Sequence, residues 1–215
     1  MLPIQKKFIK YNISPRNGAK IQYIVIHDTG NPNKGANALM HYNYFNGGNR
    51  KASADFFVDD SNIIQTVDYK VNYSWHCGDG GGKYGITNKN SIGIEICINS
   101  DGNYAKAFQN AVELVAYLMK ELNIPIERVV RHYDASRKSC PQSMMANNWQ
   151  AWKEFKIDVE KELNPVAQWK LDAVEFLGKH GVISDVEGWK KKIDEPAPVW
   201  MVMVVAMNIL KKLMK

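Results

Sequence analysis

The chain has 215 residues, of which 45% are hydrophobic and 23% are charged. This composition predicts a folded globular protein with one full core and about fifty residues left for a smaller unit, and it excludes an intrinsically disordered chain. The net charge of +6 favours anionic partners, but no Lys/Arg tract is interleaved with aromatic residues, so a nucleic-acid-binding protein is not expected.

The cysteines and the apolar runs limit the cellular context. Cys77, Cys97 and Cys140 form an odd set without framework spacing, which argues against a disulfide-stapled domain and leaves at least one thiol for chemistry or metal. The first residues lack the apolar stretch of a secretory signal. The most apolar run, residues 199–210, is shorter than the about 20 residues that span a bilayer. We therefore expect neither a signal peptide nor a membrane span.

The first half of the chain alternates between strand and helix patterns. Residues 20–26 are rich in β-branched and aromatic side chains and predict a buried strand with His27 at its carboxyl end. Residues 36–45 predict a short helix. The runs 54–58 and 63–67 predict a hairpin, because a polar turn separates them.

The middle of the chain continues this alternation. Residues 77–90 are rich in Gly, Asp and Asn and predict a long loop, which in a compact domain is often functional. Residues 91–98 predict the next strand, and residues 105–122 predict a helix from their apolar spacing. A short strand over 128–130 and an amphipathic helix over 149–163 follow.

Strands with intervening helices predict an α/β fold, with a central mixed β-sheet flanked by helices. The pair Asn164-Pro165 predicts a boundary between a domain over 1–163 and a small helical C-terminal unit over 167–215. Two helices are predicted in that unit, over 169–180 and 198–214.

Three residues next to predicted strand ends or in adjoining loops have the side chains of a catalytic zinc site. His27, His132 and Cys140 would supply three protein ligands and leave the fourth position open, as catalytic zinc requires. Each residue also has a simpler explanation, since a lone His at a strand end is usually hydrogen-bonded and a lone Cys is usually a small core residue. Their spacing alone does not decide between these interpretations.

Three stretches around these residues resemble the motifs of a known family. They are residues 23–29 (Tyr-Ile-Val-Ile-His-Asp-Thr), residues 91–97 (Ser-Ile-Gly-Ile-Glu-Ile-Cys), and a closing motif with Arg-His-Tyr-Asp at 131–134 and Lys-Ser-Cys-Pro at 138–141. In this order they resemble the motifs of the type-2 N-acetylmuramoyl-L-alanine amidases, which are related to peptidoglycan recognition proteins. The resemblance covers about residues 8–163.

The resemblance implies the roles of the site residues. His27, His132 and Cys140 match the zinc ligands of the family; many bacterial members have an aspartate at the third position, whereas several phage lysins have a cysteine. Glu95 matches the catalytic glutamate, which moves the proton from water to the leaving nitrogen. Lys138 matches a lysine near the metal and would stabilise the oxyanion. The simpler explanation for both Glu95 and Lys138 is a solvated charge. Glu95, however, shares a strand face with Gly93 and Cys97, which favours a pocket over bulk water.

The resemblance also identifies residues of the substrate groove, and the chain departs from the family at one position. Trp75 and His76 are similar to the segment that lines the groove. Some phage members have a catalytic tyrosine on the second strand, but residues 53–56 (Ser-Ala-Asp-Phe) contain none. The acid/base role therefore falls to Glu95.

The implied function is zinc-dependent hydrolysis of the amide bond between N-acetylmuramic acid and L-alanine in bacterial peptidoglycan, as in a bacteriolytic endolysin or an autolysin. Two other classes remain open: a peptidoglycan-binding module without catalysis, which usually lacks a ligand, and a regulatory partner of another protein. Without a signal, the protein would be made in the host cytoplasm and would act on the cell wall after holin-type release or non-classical export.

The C-terminal unit has two interpretations. Its aromatic residues Trp169, Phe176, Trp189 and Trp200, together with several methionines, are typical of a small core. Attached to a wall hydrolase, such a unit would also serve to bind anionic wall polymers. We keep wall binding and a plain packing or dimerisation unit as alternatives.

Overall fold

The computed structural model describes residues 1–164 and 168–214. The chain divides into two units, Met1–Leu163 and a smaller one that begins at Asn164. The larger unit holds all the described strands and the first four helices, and each unit has a hydrophobic core of its own.

The strands of the larger unit are short, apart from two central ones. In chain order they are β1 (Ile4–Lys6), β2 (Ile13–Pro15), β3 (Tyr23–Asp28), β4 (Phe56–Val58), β5 (Ile63–Gln65), β6 (Asn72–Ser74), β7 (Ser91–Ile96) and β8 (Val129–Arg131). Among the described residues, six of them form a sheet in the order β1-β5-β4-β7-β3-β8, in which β4 and β5 are antiparallel and the other neighbours are parallel. Strands β2 and β6 form a separate antiparallel pair. The predicted mixed sheet is therefore confirmed.

The described helices differ widely in length. They are α1 (Ala38–Asn46), α2 (Tyr104–Leu122), α3 (His132–Ser136), α4 (Ala146–Leu163), α5 (Gln168–Lys179), α6 (Val186–Lys191) and α7 (Val199–Leu213). Helix α2 has a capping residue at each end. Asn103 caps its first turn by accepting a hydrogen bond from the backbone N–H of Lys106. Asn123 ends the helix in the left-handed backbone conformation.

Helices α1 and α2 pack against opposite faces of the sheet. Phe56 and Ile94 belong to the core cluster that contains α2, whereas Phe57, the next residue of β4, packs with α1. Alternate residues of a strand point to opposite faces, so both faces of β4 and β7 are covered. Each large side chain buried in this way stabilises the fold by roughly 1.5–3 kcal/mol.

The predicted elements are present with shifted bounds. The first long strand covers 23–28 instead of 20–26 and thus includes His27, and the strand predicted at 128–130 is Val129–Arg131. Helix α4 begins at Ala146, before the predicted start, with left-handed backbone at 147–149. Strands β1, β2 and β6 and helices α3 and α6 were not predicted, because these short elements show neither a hydrophobic period nor a run of β-branched residues.

The smaller unit consists of α5, α6 and α7 around a cluster that contains Val174, Val182 and Ile183. Helix α7 leaves many apolar side chains exposed. None of the described helices has the length and hydropathy that crossing a membrane requires. Pro165 and the predicted ends of this unit, residues 167 and 215, lie outside the described residues.

Candidate active site

The carboxyl ends of three neighbouring parallel strands carry the central residues of the site. The register of β3 and β7 pairs His27 with Glu95, so both side chains lie on the same face of the sheet. Strand β8 ends at Arg131, and His132 follows at once as the first residue of α3. Ligands of open α/β sheets bind at this edge, because the loops after the parallel strands meet there.

Cys140 reaches the same edge through a loop that folds back onto the strands. The backbone N–H of Tyr133 donates to the carbonyl of Cys140 at 3.0 Å. The backbone N–H of Ser143 donates to the carboxylate of Asp28, the last residue of β3, at 2.7 Å. These two bonds hold the loop beside β3 and bring the Cys140 sulfur to 3.8 Å from Nδ1 of His27.

His27, His132 and Cys140 form a buried group that could hold a metal ion. One ligand atom from each residue lies within 4.8 Å of the other two. Ligand atoms around a tetrahedral ion bound by nitrogen and sulfur are separated by about 3.3–3.8 Å, as bond lengths of about 2.0–2.3 Å imply. Nδ1 of His132 is buried and has no hydrogen-bond partner among residues 1–164 and 168–214. The donor set and this unpartnered nitrogen fit a divalent ion.

Both imidazoles present the same ring atom to this group. His132 donates from Nε2 to Oδ1 of Asp79 at 2.8 Å, so its Nδ1 carries the lone pair. Nε2 of His27 lies 3.0 Å from Nδ1 of His76, so its Nδ1 faces Cys140. A metal-binding imidazole normally holds a partner at its other nitrogen in this way.

The electrostatics of the group favour neutral imidazoles. Burial and the neighbouring His132 lower the pKa of His27 well below its ordinary value, and burial also lowers the pKa of His132 despite the opposing effect of Asp79. The neutral ring is the form that binds metal. Burial raises the pKa of the Cys140 thiol to about 12, so its thiolate requires a cation beside it.

Asp79 is a site residue that the sequence analysis missed. It lies in a short 3-10 turn, Gly78–Gly80, within the predicted Gly-rich loop. A Cβ atom at Gly80 would lie 2.1 Å from the carbonyl oxygen of Ala135, so only glycine lets this turn pack against α3. The glycines on both sides of Asp79 were the available signal, but the sequence does not show that the turn contacts His132.

Glu95 lies beside the ligand group with one free oxygen. Its Oε1 atom is 3.8 Å from Nδ1 of His27. Its Oε2 atom is buried without a hydrogen-bond partner in the described part of the chain. Burial, with a contribution from Asp28, raises the pKa of Glu95 to about 8, while Lys138 acts in the opposite direction. A carboxyl group held in this way is suited to exchange a proton near neutral pH.

Two cavities open beside the group. One of about 280 Å³ is lined by Glu95 together with α1 side chains and Phe57. The other, of about 330 Å³, is lined by His132, Lys138, Trp75, His76 and Asp79 among others.

The predicted substrate residues differ in their accessibility. Trp75 is 37% exposed, whereas His76 is 9% exposed and is bound through its ring nitrogens inside the protein. The β4 residue in register with Glu95 is Phe57, so no tyrosine hydroxyl stands at that position.

Comparisons with known proteins agree with this geometry. The family model described as N-acetylmuramoyl-L-alanine amidase matches residues 17–143. The N-acetylmuramoyl-L-alanine amidase CwlH of Bacillus subtilis (strain 168) is 43% identical over 154 residues, which are 71% of this chain and 60% of CwlH. The amidase XlyA of the same strain is 39% identical over 161 residues, which are 74% of this chain and 52% of XlyA. The chain thus matches little more than half the length of these relatives.

Solved structures show the same fold. The catalytic domain of XlyA is 38% identical with a TM-score of 0.64, and the match covers 74% of this chain and 99% of that one. A mutant endolysin from Bacillus subtilis is 38% identical with a TM-score of 0.63 and the same coverage. By its family match, which spans both histidines and the cysteine of the buried group, the chain belongs to the N-acetylmuramoyl-L-alanine amidase family.

Proposed function

We propose that this protein is a zinc-dependent amidase that cleaves the bond between N-acetylmuramic acid and L-alanine in bacterial peptidoglycan and so lyses the cell wall. The observation that supports it is the buried group of His27, His132 and Cys140 beside Glu95, in a chain of the amidase family. The relatives CwlH and XlyA carry the name of this activity.

The three ligand residues would hold zinc through the two Nδ1 atoms and the sulfur. Two nitrogens and a thiolate are a donor set that zinc prefers, and three protein ligands leave a position for catalysis. When bound, zinc supplies Lewis acidity, which polarises the scissile carbonyl and acidifies a water molecule. The buried setting of all three side chains excludes competing water from the ligand atoms.

Glu95 and Lys138 would carry out the remaining chemistry. The free Oε2 atom of Glu95 accepts the proton of the attacking water and delivers it to the leaving nitrogen. Lys138 lines the cavity next to His132, where its ammonium group stabilises the negative charge on the carbonyl oxygen. A well-placed donor of this kind lowers the barrier by roughly 3 kcal/mol.

The test is to identify the bond that is cut. Purified cell walls are digested with the zinc-loaded chain, and the fragments are analysed by mass spectrometry. We expect stem peptides with a free L-alanine amino group and glycan with free lactyl carboxyl groups. Digestion should stop with chelator and return with zinc. Glu95→Gln is the matched control, since it keeps the size of the side chain but cannot exchange the proton.

Two results would contradict the proposal. One is cleavage within the glycan or within the stem peptide. The other is clearing of walls that chelator leaves unchanged. Binding to walls without any cleavage would indicate a recognition module instead.

We further propose that the C-terminal unit binds anionic wall polymers. Its cavity of about 570 Å³ is lined by Trp169 and Trp189, and by Lys170 and Lys192 beside the carboxylates Asp185 and Glu195. The two indole rings suit a sugar face, and the lysines suit its anionic groups. Sedimentation of Trp169→Ala with walls, before and after extraction of the anionic polymers, tests this role. If binding survives both changes while the chain sediments as a dimer, the unit serves dimerisation.

The route to the substrate is also a proposal. The likeness to a Bacillus subtilis endolysin supports synthesis in a host cytoplasm and action on the wall after holin-type release, with non-classical export of an autolysin as the alternative. Detection of the protein outside intact cells would favour export; appearance only at lysis would favour release.

A further inference from the structure

A buried chain of hydrogen bonds extends behind His27, away from the proposed metal. Nε2 of His27 lies 3.0 Å from Nδ1 of His76. Nε2 of His76 lies 3.0 Å from Oγ of Ser91, and Ser91 donates to the backbone carbonyl of Thr87 at 2.5 Å. All three side chains are buried. The chain therefore connects a proposed metal ligand to a fixed backbone acceptor.

The carbonyl at the far end determines the direction of every bond. A carbonyl only accepts, so the Ser91 hydroxyl must donate to Thr87 and accept from Nε2–H of His76. A neutral His76 then has no proton on Nδ1 and must accept from Nε2–H of His27. A neutral His27 consequently has a bare Nδ1, which is the atom that faces Cys140.

We propose that His76 and Ser91 are positioning residues, which hold His27 in the one tautomer whose Nδ1 can bind the metal. This inference rests on the proposed metal centre and deepens it. It also changes the role predicted for His76, from a residue that lines the substrate groove to one that acts through a metal ligand.

Two further features hold the His76 ring in place. The side-chain oxygen of Asn88 accepts hydrogen bonds from the backbone N–H groups of His76 and Cys77, at 3.0 and 2.7 Å. A Cβ atom at Gly93 would lie 2.5 Å from Cγ of His76. Glycine weakens the interior of a central strand, so its presence in β7 indicates that the ring needs this space.

The neighbouring tryptophan shows the contrast between the two roles. Trp75 points outward and donates from its ring nitrogen to Oγ of Ser14 at 3.0 Å, whereas the His76 ring points into the protein. Trp75 thus remains a candidate for contact with the substrate. The sulfur of Cys77, at 3.8–3.9 Å from Ser91 and His76, is only a weak neighbour of the chain of bonds.

The test compares metal affinity across matched variants by competition with a chromophoric chelator. His76→Leu removes the acceptor for His27, and Ser91→Ala removes the end that sets the direction. Loss of an outer partner of a metal-bound histidine typically weakens metal binding about 10–100-fold, and we expect a loss in this range for His76→Leu and a smaller one for Ser91→Ala. His76→Asn places an amide oxygen where Nδ1 stands, so it should restore most of the affinity.

Thr66→Val is the control for stability. It also deletes a buried hydroxyl that donates to a carbonyl, that of Ala54, but this side chain makes no hydrogen bond to His27, His76 or Ser91 in the described part of the chain. We expect it to lower the melting temperature of the metal-free chain without a change in metal affinity. If Thr66→Val and Ser91→Ala weaken metal binding equally, the effect is one of general stability and the proposal is wrong.

A spectroscopic measurement tests the tautomer without any variant. In the metal-free wild-type chain, nitrogen-15 NMR of the histidine rings should show His27 with its proton on Nε2, and His76 likewise. A proton on Nδ1 of His27 would overturn the proposal even if the variants failed to fold. If the wild-type chain bound no zinc, the proposed function would fail, while the NMR result would still decide the tautomer.

Discussion

At the scale of single residues, the site depends on two side chains that do not face the proposed metal but hold its histidine ligands in place. Asp79 contacts His132, and His76 contacts His27, each at the nitrogen opposite the metal-facing one. The two partners differ in setting, since Asp79 is 46% exposed at its side chain and His76 is buried. The effect of Asp79 can therefore be separated from effects on folding.

Replacement of Asp79 by alanine should weaken metal binding with little loss of stability. The His132 ring would lose the acceptor that fixes its orientation, and such losses typically weaken metal binding about 10–100-fold. Chelator competition gives the affinity and thermal unfolding gives the stability. Asp101→Ala is the control, because this carboxylate also accepts a hydrogen bond in a surface loop, from the backbone N–H of Gly35, but none from His27 or His132 in the described residues. Equal affinities for the two variants would contradict the prediction.

At the scale of elements, the site is formed where a loop, a helix and strand ends meet. The turn that carries Asp79 packs against α3, and α3 begins with His132. The strands supply a rigid edge, while the loop supplies the carboxylate that accepts the hydrogen bond of His132. Displacement of the loop should thus affect the metal site even when every ligand is intact.

Gly80→Ala tests this coupling. The added methyl group would lie 2.1 Å from the Ala135 carbonyl, so the turn must move away from α3 and take Asp79 with it. We expect a loss of metal affinity similar to that of Asp79→Ala, measured in the same competition. In Gly85→Ala, the new Cβ would meet no atom of the described residues within 4 Å; the left-handed backbone costs roughly 1 kcal/mol, but metal affinity should not change.

A buried carboxylate joins three elements and makes stability depend on pH. Asp55 accepts hydrogen bonds from the Ser74 hydroxyl and the Gly93 N–H, and burial raises its pKa to about 6. Its folded pKa thus exceeds the unfolded value of 3.8, so its contribution is fully present below about pH 4 and is lost as the pH rises through 6. The change amounts to at most about 3 kcal/mol.

Asp55→Asn should remove this dependence. The difference in free energy of unfolding between the wild type and the variant should fall as the pH rises from about 4 to about 6, as measured by urea denaturation of the metal-free chains. This difference removes the contribution of the other carboxylates to the pH dependence, because both chains share them. A difference that is constant or rises over this interval would contradict the prediction.

The sequence predicted the long elements and the residues of the motifs, but not the contacts between distant segments. β3 and β7 are rich in β-branched residues and α2 has apolar residues at helical spacing, and these elements were found close to their predicted positions. The convergence of His27, His132 and Cys140 was predicted from the family motifs. Asp79 was missed, because it contacts a residue 53 positions away and only the packing of Gly80 brings it there.

At the scale of the whole molecule, the two units have separate cores and the proposed chemistry lies entirely in the larger one. A chain that ends at residue 163 keeps every residue of the site and the complete sheet. The solved catalytic domain of XlyA matches 74% of this chain, so a protein of this size folds without a further unit. The smaller unit should therefore affect where the proposed hydrolysis takes place more than how fast it is.

Truncation after residue 163 should leave hydrolysis of soluble wall fragments within about twofold of the full chain, because no residue of the site is lost. Binding to intact walls should weaken. Fragment hydrolysis and sedimentation with walls measure the two effects separately. A shortened chain that melts cooperatively but no longer cleaves soluble fragments would show that the smaller unit takes part in the reaction.

The parallel register of β3 and β7 limits which changes of chain length this protein can accept. His27 and Glu95 are opposite each other because residues 23–28 and 91–96 align without offset. A single-residue insertion or deletion in either strand would turn one of the two side chains to the other face. Length variation is therefore expected in natural homologues and tolerated in engineered libraries outside these two strands, while both central strands keep their lengths.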